Sequence, residues 1–185
     1  TLGISGCMKL TSQETTTSEL ERLTFSGEVT AQSDSNSPAK VRAELGYEGD
    51  QSLELEMGPT LLFSDFGEPY PGDGTIILYP KSNIGDWPEP YQSESGCWRL
   101  PEDGQRYTND SIEWYTVSSE NPVSESYSLI TVEGDPSCLP DGNYDYVDKV
   151  IKKGSNTTAR LNLGISASSN LISVDSSRTW VKPQD

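Results

Sequence analysis

Apolar and polar residues alternate with period two along much of this chain, the pattern of strands with one buried face. The clearest run is Thr157, Ala159, Leu161, Leu163 and Ile165, which alternate with Thr158, Arg160, Asn162, Gly164 and Ser166. Before it, Tyr144 to Lys152 is rich in aromatic and β-branched residues, and Lys153-Gly154-Ser155-Asn156 supplies turn chemistry. The two runs are therefore expected to pair as an antiparallel hairpin. Nearer the N-terminus, Leu23, Phe25, Gly27, Val29 and Ala31 share one strand face. Val41, Ala43, Leu45 and Tyr47, then Leu53, Leu55 and Met57, flank Glu48-Gly49-Asp50 and read as a second hairpin. Its outward face is expected to carry Arg42, Glu44, Glu54 and Glu56, as where an antiparallel sheet meets solvent.

Further strands are expected through Thr60 to Phe63, Ile112 to Val117 and Tyr127 to Val132, and at the end as Leu171 to Val174 and Arg178 to Val181. Thr75-Ile76-Ile77-Leu78-Tyr79 lacks alternation and reads as a strand covered on both faces. One helical turn fits Ser18 to Glu21, which have capping-box spacing. The expected fold is all-β: a single jelly-roll barrel or sandwich of about eight strands over 19–185, preceded by a Ser/Thr-rich arm over 1–18. Pro80 to Gly104 is the longest irregular stretch, where Pro80, Pro88, Pro90 and Pro101 argue against a central strand. Trp87, Tyr91 and Trp98 make it too apolar for an idle linker. The expectation is that these rings contact another protein; the competing one is that they plug the end of the domain's own core.

Charge changes the picture most. Among 185 residues, 29 are acidic and 13 basic, a formal net charge of −16. Such a surface repels itself in dilute salt but is tolerated in brine, where the Debye length falls to about 3 Å at 1 M. A halophilic source fits, and direct contact with nucleic acid is disfavoured because no basic stripe faces phosphates. No apolar run is long enough to span a bilayer as a helix. Cys7, Cys97 and Cys138 are too few for a disulfide scaffold and lack zinc spacing. Either Cys97 pairs with Cys138, leaving Cys7 for an intermolecular bridge, or all three are free thiols.

Candidate chemistry is sparse. The absence of histidine removes the usual general base, so no catalytic residues and no cofactor are expected, and the chain is read as a non-enzyme. Asp141-Gly142-Asn143-Tyr144-Asp145 starts like a calcium loop, but Tyr146 and Lys152 stand where its glycine and bidentate glutamate belong. A turn that opens a strand is the plainer account of it. Asn109-Asp110-Ser111 and Asn156-Thr157-Thr158 are glycan acceptor sequons, meaningful only in a glycosylating compartment. Ile4-Ser5-Gly6-Cys7 looks like a lipobox with Cys7 as the lipidated residue, whereas Thr1 reads more simply as the residue exposed by removal of an initiator methionine.

Size, acidity, lack of histidine, strand pattern and polar arm together resemble the smaller major capsid protein of haloarchaeal icosahedral viruses with an internal membrane. The resemblance spans the chain but carries no short motif. It implies a virion protein whose upright jelly roll assembles with itself and with a larger jelly-roll capsid protein into pseudo-hexameric capsomers over the membrane. The work would then fall to interfaces: the arm, Trp87, Tyr91, Trp98 and a spare thiol at Cys7. The alternative is a secreted or lipid-anchored surface β-sandwich for adhesion or carbohydrate binding, with Trp87, Trp98 or Trp114 as a sugar platform.

Overall fold

The computed structural model describes residues 19–58, 62–63, 76–82, 88–101, 113–132, 134 and 137–181. Eleven strands occur among them: β1 (Leu23–Ala31), β2 (Lys40–Tyr47), β3 (Leu53–Met57), β4 (Ile77–Pro80), β5 (Tyr91–Gln92), β6 (Trp98–Leu100), β7 (Glu113–Val117), β8 (Val123–Val132), β9 (Gly142–Lys152), β10 (Thr158–Ser168) and β11 (Leu171–Val181). They form two sheets, one ordered β1-β2-β8-β6-β5 with β4 also on β8, the other β11-β10-β9-β3-β7. All pairings are antiparallel except β6 with β8. The fold is thus an all-β sandwich.

Alternation explains its interior. Val41, Ala43 and Leu45 of β2, Leu53, Leu55 and Met57 of β3, and Ala159, Leu161, Leu163 and Ile165 of β10 all face one apolar core. β9 and β10 pair as the turn at Lys153 to Asn156 predicts, with Ile165 opposite Tyr144 and Thr158 opposite Ile151. The β10–β11 turn is Ser169-Asn170, both with positive φ, which matches the right-handed twist of the strands it joins. β4 is covered on both faces as its pattern predicts. Ile76 and Leu78 enter the main core, whereas Ile77 joins Leu100 and Ile130 in a second, smaller cluster.

The sandwich closes where β1 meets β11. Gly27 N donates to Ser176 Oγ at 3.1 Å, and a Cβ on Gly27 would lie 2.4 Å from Leu163 Cδ1. The Gln32 carboxamide extends this seam, donating to Ile172 O at 2.9 Å and accepting from Ile172 N at 2.8 Å.

Several expectations are corrected. β2 and β3 are not a hairpin: β2 lies between β1 and β8, and β3 between β9 and β7 in the other sheet. Arg42 and Glu44 therefore face away from Glu54 and Glu56 across the sandwich. Facing strands that bury residues in one core have the same alternation as hairpin partners, so the pattern does not separate the two cases. Residues 80–104 are not wholly irregular, since β5 and β6 form within them; their two- and three-residue lengths escape a periodicity test. The last two expected strands are one continuous β11, and the strand expected at Tyr127 begins at Val123. The helical turn is present at Glu19 and Leu20, whereas Ser18 and the arm over 1–18 lie outside the described residues. Of the strand expected over Thr60 to Phe63, Thr60 and Leu61 also lie outside them, and Leu62 and Phe63 form a bend, the latter with φ 54°, which extended backbone does not adopt.

Candidate functional site

Three groups of polar side chains interrupt the apolar interior, and each shows what the sandwich does with its chemistry. The first is a disulfide between Cys97, just before β6, and Cys138, in the crossing from β8 to β9. Their Cα atoms are 4.7 Å apart, at a sequence separation of 41. The bond ties the short β5–β6 hairpin of one sheet to the segment that leads into the other. Beside it lies a cleft of about 270 Å³ lined in part by Asp34, Pro38, Trp98, Leu129, Leu139 and Asn170. Backbone amides of Asn36 and Ser37 donate to Asp34 Oδ1 at 2.7 and 2.8 Å. Those bonds hold its carboxyl below the usual range and shape the β1–β2 loop at the cleft's rim.

Trp98 is half-buried against the small apolar cluster of Ile77, Leu100 and Ile130, and its Nε1 is buried with no hydrogen-bond partner among the described residues. In the β5–β6 ladder Tyr91 is opposite Arg99 and Gln92 is opposite Trp98. Tyr91 and Trp98 therefore leave opposite faces of the hairpin and do not form one patch. Arg99 is buried and donates to Thr131 Oγ1 at 3.1 Å and Val132 O at 3.0 Å, so its guanidinium braces β6 on β8. Trp87 and Cys7 lie outside the described residues.

The second group centres on Glu125, only 5% exposed at an inward position of β8 in register with Tyr127 and Leu129. It accepts from Ser126 N at 2.8 Å and Ser82 N at 3.4 Å, while Oε2 is buried without a partner among the described residues. Burial raises its pKa; those amide bonds and the Lys81 charge oppose the rise without cancelling it. On β7, the Tyr115 hydroxyl donates to Glu113 at 3.0 Å. Burial, helped by that bond, pushes the phenol up to about 12.

The third group pins both ends of the excursion between β3 and β4. Tyr127 donates to Leu62 O, Tyr146 donates to Ile76 O at 2.8 Å, and Asp148 accepts from Phe63 N at 2.7 Å. Asp148 stands opposite Leu161, at the inward position that follows Tyr144 and Tyr146 along β9. Phe63, held at φ 54°, packs its ring 6.0 Å from Phe25 and 6.2 Å from Tyr127. Burial lifts both tyrosine hydroxyls well above their ordinary range, so they act as donors to backbone carbonyls. These groups serve the fold: each buried hydroxyl already has its acceptor.

At the start of the suspected calcium loop, Asp141 Oδ1 accepts from Ser169 N at 2.8 Å in the β10–β11 turn and Asn143 Oδ1 from Ser166 Oγ at 2.7 Å on β10, so both side chains tie the start of β9 to the neighbouring strand and not to their own turn. Among the described residues no group of three His, Cys, Asp or Glu is placed to hold a metal ion, and no helix is long and apolar enough to cross a membrane. Outside, Trp114 is 48% exposed, with Lys153 Nζ 4.8 Å above its ring and bonded at 3.1 Å to Glu54. The ring face a sugar would stack on is thus already shared with a cation. Leu171, 65% exposed, stands at the β10–β11 turn.

Sequence reasoning passed over Glu125 and Arg99. Glu125 had a signal, since it shares parity with Tyr127 and Leu129; Gly27 was placed on the inward face of its strand, but what it meets there depends on a strand of the other sheet. Comparison with known proteins finds no matching family model, no matching curated protein and no matching solved structure.

Proposed function

We propose that this chain is an extracytoplasmic adhesion module: a β-sandwich held at a cell surface through Cys7 and working by contact along its outer faces in salty water. The observation that carries this reading is the Cys97–Cys138 disulfide. Structural disulfides persist in oxidising compartments and are rare where thiols are kept reduced. Ile4-Ser5-Gly6-Cys7 supplies the attachment, a cysteine in a lipobox-like context, and the charge of −16 suits a surface bathed in brine. Arg99, Tyr127, Tyr146 and Asp148 are spent on bracing the fold, which supports a role in binding over one in catalysis.

The capsid reading is the rival. In its favour, five of the ten connections between the described strands (β2–β3, β3–β4, β6–β7, β7–β8 and β8–β9) pass between sheets, as many do in Greek-key and jelly-roll chains, although β4–β5–β6 stay in one sheet. Against a strict jelly roll, β1–β2 and β9–β10–β11 keep sequence neighbours in one sheet. A capsid subunit assembling in a reducing cytoplasm also has less use for a disulfide.

The test is fractionation of source cells, with mass spectrometry of the peptide that begins at Cys7. A lipid on Cys7 and membrane retention that Cys7→Ser abolishes are expected. Recovery of the chain in virus particles beside a larger β-protein would transfer the case to the capsid, and a cytosolic chain with reduced thiols would end the surface reading.

A further inference from the structure

We infer that Asn156 carries an N-linked glycan, an inference that rests on the extracytoplasmic reading above. The Asn156-Thr157-Thr158 sequon lies in the turn from β9 to β10, the two strands that form the middle of their sheet. Asn156 is exposed, and its carboxamide makes no hydrogen bond to any described residue. Gly154 turns the chain with φ 71° and has no atom within 4 Å of where a Cβ would project, so the space around the turn is open. Ser155 Oγ accepts from Thr157 N at 3.0 Å, which fixes the approach to the strand.

What raises this above a chance tripeptide is parity. Thr157 is buried, with Ala159 and Leu161 following it inward along β10. Thr158 opens β10 on the other side, opposite Ile151, whose neighbours Glu56 and Trp114 continue the same row across the outer face of the sheet. Thr158 therefore lies on the outer face of the sheet, and Asn156 is exposed in the turn that precedes it, so acceptor amide and hydroxyl both reach solvent while only the middle residue is buried. Glycan addition at this turn displaces no core side chain and no ladder hydrogen bond.

The donor would be an oligosaccharide carried on a lipid phosphate. Asn156 Nδ2 attacks the anomeric carbon, the carbon–oxygen bond to phosphate breaks, and the lipid phosphate leaves with the electron pair while the amide nitrogen loses a proton. No oxidant or reductant is needed. The other sequon, at Asn109, lies outside the described residues and is kept separate by a site-specific readout.

Trypsin cuts after Lys153 and Arg160, so full-length chain purified from source cells yields residues 154–160 as one peptide. The expected result is that peptide at a mass increased by an oligosaccharide, the increase lost in Thr158→Ala and kept in Thr158→Ser. A bare 154–160 peptide from chains that carry lipid at Cys7 overturns the glycan while leaving the surface reading intact. A bare peptide from chains kept inside the cell with free thiols overturns both.

Discussion

Glu125 occupies a position where the alternation of β8 calls for an apolar side chain, and the sandwich bears the cost of an ion there. Desolvation raises its pKa above the ordinary carboxylate value. The folded state thus binds its proton more readily than the unfolded chain does, so this residue's contribution to stability falls as pH rises through the window above that ordinary value. Glu125→Gln keeps an acceptor for Ser126 N and removes the charge. At pH 7 it is expected to raise the urea midpoint, and the gap from the parent should close as pH falls below the ordinary carboxylate range. Urea melts across pH check both parts; a Gln variant less stable at every pH would show that the carboxylate is an asset. Tyr146 makes the opposite case. Its hydroxyl serves Ile76 O at the start of β4, so Tyr146→Phe leaves a buried carbonyl unpaired and should lose about 1–3 kcal/mol. An unchanged urea midpoint would mean that a water fills the gap.

At the scale of elements, what was legible depended on how many residues repeat the pattern. β10 has eleven residues of near-unbroken alternation, and its hairpin with β9 follows from that run and the turn between them. β5 and β6 have two and three residues; they exist because Arg99 and the Cys97–Cys138 bond hold them against β8, and neither contact has a local signature. Nor does the choice between hairpin and facing strands, which decides β2 and β3, reside in either strand alone. The disulfide should therefore matter most where strand pairing is thinnest. Replacing Cys97 and Cys138 together by Ala is expected to cost about 2–4 kcal/mol, because the crosslink restricts a long loop of the unfolded chain. Hydrogen exchange should quicken first in β5 and β6. Equal quickening in β9 and β10 would mean that the bond braces the whole sandwich and not its corner.

The molecule as a whole carries sixteen more negative than positive charges, and its response to salt depends on whether repulsion or pairing dominates. Ion pairs among the described residues join Arg22 to Asp50, Arg42 to Glu44, Lys152 to Glu19 and Lys153 to Glu54. All retain solvent contact. Exposed pairs contribute about 0–1 kcal/mol each and weaken as salt screens them. The excess carboxylates have no such partners to lose, and their mutual repulsion is relieved over the same range of salt. Relief should win. The thermal midpoint is thus expected to climb as sodium chloride rises from 0.05 to 1 M, about where the Debye length has shrunk to 3 Å and screening is nearly complete. Salts can also stabilise by exclusion from protein surface, which sucrose does without charge. A climb matched by sucrose would mean that acidity sets solubility here and leaves folding untouched, and a midpoint that drops as the salt rises would mean that pairing outweighs repulsion. A climb specific to salt would instead mark brine as the medium in which this sandwich completes its folding.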